Sequence, residues 1–327
     1  MHISRSLALP AAALALALTV TACSSDNGDT TDPSEAGGVV VTDMFGDVEV
    51  PANPQRVVAL GWSDAETALA LGVQPVGASD WLGVGGNGLG PWVDETYDTD
   101  PTIVGTFDVD MESIAALAPD LILWTRSTND KAVYDDLSEI APTVAAPPGT
   151  DVAYGTTWDG QTEIVAQALG KVDEGKKLVD DTQALVDDTI AANPEFAGKT
   201  VAVGTLYSGQ VGAYVRGDTR VDFLESLGME NTPAVQNLAQ PGAFSIELSE
   251  ENISALDADL TVMFPIGTGP EVITDNPSIQ GLPSARDGRL VVLGDQNLSN
   301  AFSAASVAGT RYALENAVPL FAAPLKG

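Results

Sequence analysis

Two stretches in opposite halves of the chain carry related residues at one spacing. Asp110, Glu112, Ile114, Leu117, Asp120 and Leu121 match Ser249, Glu251, Ile253, Leu256, Asp259 and Leu260 in order. An internal repeat constrains a fold more than any compositional figure does, because each copy is one supersecondary unit and two copies call for two similar lobes. In each copy the first residue is of an N-cap type, the Ile and Leu fall at helical spacing on an inward face, and the second Asp marks the turn into an apolar strand.

The surrounding chain fits the same plan. Val57-Val58-Ala59-Leu60 reads as a strand, and a helix follows from Ser63, where Ser63 and Glu66 form a capping-box pattern, and stops at Gly72. Pro75 to Ala78 resumes extended structure, a Gly-rich loop runs from Gly83 to Gly90, and the helix opened by Asp110 ends before Pro119 and leads into the strand Leu121 to Trp124. In the second half Val201 to Val203 is a strand, and Val221 to Leu227 a helix closed by Gly228. Between the halves, Val172 to Asn193 carries Leu178, Val179, Thr182, Leu185, Val186, Thr189 and Ile190 at helical spacing, and Pro194 ends it. Such a helix is about 30 Å long at ~1.5 Å per residue, enough to bridge two small lobes. The expected architecture is therefore α/β, with two Rossmann-like lobes of mainly parallel sheets joined by one long connecting helix. The N-terminal lobe is placed at 41–171, the spine helix at 172–193 and the C-terminal lobe at 194–327.

Ahead of the first lobe, Arg5 precedes an apolar stretch from Leu7 to Val20, with small residues at Thr21 and Ala22, which reads as an export signal over 1–22. The stretch falls short of the ~20 apolar residues that span a bilayer. Val20-Thr21-Ala22-Cys23 resembles the bacterial lipobox, which implies that the Cys23 sulfur takes a diacylglyceryl group. Two acyl chains anchor stably where one does not. Residues 23–40 are then the anchor and a tether rich in Ser, Asp, Thr and Gly, with too little apolar material to order it. The expected location is extracytoplasmic, on the outer face of the cell membrane, with the anchor as the sole membrane contact.

The formal charge of -32 excludes nucleic acid as a natural partner, and loss of the signal removes a further positive charge, Arg5. His2 is the only histidine and lies in the signal, while Cys23 is the only cysteine. Thiolate and imidazole metal sites, Ser-His-Asp triads and intrachain disulfides are thus excluded from the folded part. The many carboxylates make acidic pairs easy to find, but none sits at a mechanistic spacing. An extracellular hydrolase remains the alternative from another class, and the expectation is a non-enzyme with no intrinsic cofactor and no protein-held metal.

The order of signal, lipobox, first lobe, single long helix and second lobe resembles the class III solute-binding proteins of ABC importers for ferric siderophores and cobalamin. The local marks are Pro54-Gln55-Arg56-Val57-Val58, Ala70-Leu71-Gly72-Val73-Gln74-Pro75-Val76-Gly77 and Ile114-Ala115-Ala116-Leu117-Ala118-Pro119-Asp120-Leu121-Ile122. Within that group the chain is most similar to actinobacterial iron-siderophore binders. The resemblance implies a monomer that traps a ferric-siderophore-type chelate between its lobes, with iron carried as part of the ligand, and hands it to a permease dimer. It also implies that one glutamate on each lobe, at the matching positions Glu112 and Glu251, docks onto the permease. The same architecture could instead carry heme, cobalamin or bare ferric ion. Without histidine, heme would need a tyrosinate from Tyr207 or Tyr214.

In α/β lobes a ligand sits beyond the carboxyl ends of the strands, so residues just after each strand are the candidates. These are Trp62, Trp81, Trp124 and Arg126 in the first lobe, with Trp158 shortly before the spine. The second lobe supplies Tyr207, Tyr214, Arg216, Phe264 and Phe302. Aromatic faces offer flat apolar walls, and the arginines could bond the oxygen-rich shell of an iron complex. Arg216 is the favoured of the two, since Tyr214 and Gly217 place it in a loop. Seven arginines and six lysines remain after processing, and Lys171, Lys176 and Lys177 lie near or on the spine. That scarcity favours a hydroxamate or mixed-ligand chelate over a trianionic catecholate.

Overall fold

The computed structural model describes residues 38–81, 83, 86–105 and 108–326. The signal, Cys23 and most of the tether lie outside them. The chain enters through a hairpin, Val39–Asp43 against Gly46–Val50, so strand structure begins within the stretch assigned to the tether. Asp43 fixes this hairpin to the first lobe. One of its carboxylate oxygens accepts from the N–H of Phe45 and Gly46 in the turn, and the other accepts from Ala145 N–H.

The first lobe is built on a wholly parallel sheet of short strands. They run in the order Thr102–Ile103, Gly77–Ala78, Val57–Ala59, Leu121–Leu123, Thr143–Val144. Helices cover both faces, which is why these strands read as unbroken apolar runs. Val57, Leu121, Leu123 and Val144 pack on one face with Ile164 and Val165, while Val58 and Ile122 pack on the other with Ile114 and Leu137. The alternation is the period of two that a strand imposes.

The second lobe has longer strands and a mixed sheet. Ser245–Leu248, Gln210–Tyr214, Thr200–Tyr207, Leu260–Ile266 and Leu290–Val292 lie side by side, and Glu230–Asn231 pairs with the start of Thr200–Tyr207. Thr200–Tyr207, Leu260–Ile266 and Leu290–Val292 are parallel, as expected. Gln210–Tyr214 and Ser245–Leu248 add antiparallel strands that the sequence pattern did not announce. Ser208 and Gly209 make the intervening turn with φ of 48° and 81°, the left-handed pair that suits a two-residue hairpin.

Between the sheets the helix Val172–Ala192 spans 21 residues and ends at Asn193, as its stripe predicts. It packs against both lobes. Gly175 leaves room for Ala166 of the first lobe's last helix, where a Cβ would lie 2.3 Å from the alanine methyl. Thr182 accepts a hydrogen bond from Arg311 in the second lobe's helix Val307–Asn316 at 3.0 Å.

Two local expectations are corrected. Ser63 does precede the helix Asp64–Ala70, but its φ is 64° and its side chain makes no cap. The Ser63 hydroxyl donates to Ala304 of the other lobe at 2.7 Å, and the Glu66 carboxylate also turns away from the helix end. In the second repeat, Glu250–Leu256 is a 3-10 helix and the Ser249 side chain does not cap it, whereas Asp110 caps Met111–Ala116 by accepting from Ser113 N–H.

Candidate functional site

A cavity of about 390 Å³ opens at the carboxyl ends of the first-lobe strands. Leu60, Ser79, Val104 and Trp124 line it, each the residue that immediately follows a strand of that sheet. Trp62 and Tyr154 form an aromatic wall, with ring centroids 4.2 Å apart. Behind them Trp81 stacks on Trp62 at 5.6 Å and Trp92 follows at 6.4 Å, so the wall is backed by aromatic packing.

Arg126 closes the cavity floor. It is 2% exposed, and its guanidinium lies 5.9 Å from the Trp62 ring. Nε donates to Tyr154 O at 3.0 Å, and the other bonds cross to the second lobe: Thr219 Oγ1 at 2.9 Å, Ser303 O at 3.0 Å and Ala304 O. Burial, and then the nearby Arg220, lower its pKa to about 10, which still leaves it charged at neutral pH.

The segment from Ser303 to Ser306 is where the first lobe grips the second. Ala305 holds a left-handed φ of 47°, which lets its neighbours face the first lobe. Ser306 Oγ donates to Glu66 at 2.5 Å while accepting from Gly309 N–H, so a single hydroxyl both caps its own helix and reaches across. Glu66 also accepts from Trp92 Nε1 at 3.1 Å. Burial pushes the Glu66 carboxyl up to about 7, against the opposing pull of Ser306, Trp92, the Gly90 N–H and Arg126.

In the second lobe, Tyr207 and Ile266 end two neighbouring strands and face each other in register. Tyr207 is 58% and Ile266 37% exposed, large apolar groups left uncovered beside a hollow of about 470 Å³. Tyr214 and Phe264 are buried and stack on each other at 5.8 Å, with the Arg220 guanidinium 3.6 Å above the tyrosine. Arg220 is held by both oxygens of Asp218, at 2.8 and 2.5 Å. Arg216 is exposed, paired with Glu225 at 2.7 Å, and lines a groove with residues of the 147–160 segment. Trp158 and Phe302 line a separate cavity of about 180 Å³ beside the spine.

The fold thus gathers Trp62, Trp81, Trp124 and Arg126 at one place, and sets Tyr207 at the end of a second-lobe strand. Phe264 and Tyr214 pack inside that lobe, in one core cluster with Val201, Val203 and Val262. Arg126 lines the 390 Å³ cavity, whereas Arg216 lines a different groove and is engaged by Glu225 of its own lobe. Two residues escaped sequence reasoning. Tyr154 lies in a loop with no strand before it, and its φ of 59° is invisible in the sequence. Arg220 stands in a helical turn, where a cation normally faces solvent. Glu112 and Glu251 are exposed in the first turns of their helices. Among the described residues no group of three or more His, Cys, Asp or Glu is arranged to hold a metal, and no helix is long and apolar enough to cross a membrane.

Two α/β lobes, with a cavity at the carboxyl ends of the first lobe's strands, make the fold of a solute-binding protein. Residues 57–297 match the family described as periplasmic binding protein, and the chain belongs to it. It is 31% identical over 256 residues to a probable siderophore-binding lipoprotein of Bacillus subtilis (strain 168), YfiY, covering 76% of this chain and 75% of that one. A periplasmic solute binding protein from Mycobacterium smegmatis str. MC2 155 superposes with a TM-score of 0.75 at 29% identity, over 88% of this chain and 99% of that one. The iron uptake ABC transporter substrate-binding protein PiaA from Streptococcus pneumoniae TIGR4 does so with a TM-score of 0.72 at 25% identity, again over 88% and 99%.

Proposed function

We propose that this chain is the extracytoplasmic solute-binding component of an ABC importer, enclosing a ferric-siderophore-type chelate between its lobes and delivering it to a permease dimer. The observation that carries the reading is the aromatic-walled cavity at the strand ends, floored by Arg126. Its volume of about 390 Å³ falls within the range of small-molecule sites, ~300–1,000 Å³. Trp62, Trp124 and Tyr154 supply flat apolar faces for the chelate's organic shell, and Tyr207 with Ile266 supply an uncovered apolar face on the second lobe. The relatives named for siderophore binding and iron uptake support the same cargo class.

In this reading the protein acts as a monomer, iron travels as part of the cargo, and Cys23 carries the lipid anchor. Glu112 and Glu251, at equivalent places in the two repeats, meet the two halves of a symmetric permease. Heme or bare ferric ion fits less well, since a tyrosinate ligand is needed. Burial raises the Tyr214 pKa, and its ring is covered by Arg220.

Titrating intrinsic tryptophan fluorescence with a panel of ferric chelates tests the reading, as Trp62 and Trp124 line the cavity. Quenching at submicromolar chelate supports it, and no response to any chelate rejects it. Charge reversal at both Glu112 and Glu251 should abolish uptake in cells and leave chelate affinity unchanged. Lost affinity in the purified double variant would remove the docking role.

A further inference from the structure

The charges around the cleft are arranged against a strongly anionic cargo. Among the described residues, the charged side chains lining the 390 Å³ cavity are Arg126, Asp108 and Asp130. Arg126 already spends four hydrogen bonds on three backbone carbonyls and the Thr219 hydroxyl, so little of its fork is left for a ligand in this arrangement. If the lobes part and release it, it remains one cation beside two carboxylates.

Three further cations are held by carboxylates of their own lobe. Arg220 is clasped by Asp218, and Arg216 by Glu225. Lys131, next to Asp130 in sequence, pairs with Asp135 at 2.5 Å and lies over the rings of Phe45 and Tyr134. Among the described residues, none lining the hollow beside Tyr207 and Ile266 is charged.

We infer that the cleft takes ferric chelates of zero or positive net charge, ferric trihydroxamates being the class that fits, and discriminates against trianionic tris-catecholates. The inference rests on the function proposed above and narrows its cargo. Three singly charged hydroxamates cancel the ferric charge, whereas three doubly charged catecholates exceed it by three. A catecholate complex in this cavity would meet one engaged arginine and two carboxylates, and most of its charge would be desolvated without compensation. A neutral trihydroxamate needs only apolar walls and a few hydrogen-bonding groups, which Trp62, Tyr154, Ser127 and Thr128 provide. Screening over ~8 Å at physiological salt makes these local charges, rather than the overall -32, decisive.

The test is a fluorescence titration of the protein with three probes: a neutral ferric trihydroxamate, a ferric trihydroxamate bearing a free ammonium, and a ferric tris-catecholate. Both trihydroxamates are expected to bind at least about tenfold more tightly than the catecholate. The double variant Asp108→Asn with Asp130→Asn should shift the ratio of catecholate to neutral-chelate affinity several-fold towards the catecholate. Asparagine also preserves the cap that Asp130 provides to the helix Lys131–Ser138, so folding is kept. Catecholate binding as tight as that of the trihydroxamates, or unmoved by the double variant, overturns the inference and leaves the proposed function standing. Failure of all three probes to bind overturns both.

Discussion

Each lobe opens its central strand in the same grip. In the first, the Asp120 carboxylate accepts from Gln55 N–H at 2.7 Å and Arg56 N–H at 2.8 Å, just before the strand Val57–Ala59. In the second, Asp259 accepts from the Thr200 N–H and hydroxyl, each at 3.0 Å, at the first residue of Thr200–Tyr207. The strand ends differ. The first lobe stops its strands after two or three residues and fills the space above them with Trp62, Trp124 and Tyr154. The second runs its strands on and folds one back as a hairpin, leaving Tyr207 and Ile266 uncovered. The repeat is therefore a record of the frame, and the two cavities lie at loops and strand ends where the copies diverge.

The sharpest way to break that contrast is to remove one arginine from each lobe. Arg126→Ala should weaken chelate binding about tenfold or more, because it removes the four bonds that hold Tyr154 and the Ser303–Ala304 segment in place around the cavity. Arg216→Ala removes an exposed ion pair, worth ~0–1 kcal/mol, and should change binding no more than about threefold. Comparable losses in fluorescence titrations of the two variants would show that both lobes hold the cargo equally.

Next in size is the grip between the lobes at Glu66. Its folded pKa of about 7 stands above the ordinary value of 4.5, so the folded state holds this proton where the unfolded state has released it. Stability from this group is complete below the unfolded pKa and falls as pH rises from about 4.5 to 7, by a loss on the order of 3 kcal/mol. Urea midpoints of Glu66→Gln should drop less than those of the unaltered protein between pH 5 and pH 8 (the range is chosen to straddle the shift). Parallel pH curves would mean that the carboxylate is ionised in the fold throughout.

Smaller effects test whether the frames are equivalent. Asp120→Ala and Asp259→Ala each remove a carboxylate that accepts two hydrogen bonds, and each should cost ~1–3 kcal/mol by urea denaturation. A gap of more than about 1 kcal/mol between them would undo the equivalence. The mildest pair is Ser63→Ala and Asp110→Ala. Asp110→Ala loses a true cap, worth ~1 kcal/mol, and should leave chelate affinity alone. Ser63→Ala loses a bond between lobes and should cost a similar amount while shifting chelate affinity, because Ala304 O is shared with Arg126.

Much of this was legible in the residues, for definite reasons. The spine helix could be read because its stripe runs over many turns, and the parallel strands because burial on both faces makes their sequences apolar throughout. The hairpin of the second lobe was harder to see. Val211 and Ala213 belong to the core, but the turn that aligns them depends on left-handed angles at Ser208 and Gly209. Trp62, Trp124 and Arg126 could be placed beside one cavity because strand order marks the carboxyl ends, and Tyr154 could not because no strand leads directly into it. Ser63 and Glu66 misled for a physical reason. A serine followed three residues later by glutamate satisfies its own helix end only if nothing stronger competes, and here the Ser303–Ser306 segment of the other lobe takes both side chains.

Sequence alone determined the two-lobed α/β plan, the connecting helix, the lack of any histidine after His2 or cysteine after Cys23, and the strand ends beside which Trp62, Trp124 and Arg126 lie. These follow from periodicity, capping types and composition, which act over a few residues or over the whole chain at once. Only the tertiary structure decided which arginine floors the cavity, which cations are already neutralised by neighbours, and what Ser63 and Glu66 bond to. Each of those choices pits a local hydrogen bond against one from a residue up to 241 positions away, and the outcome is set by packing between the lobes.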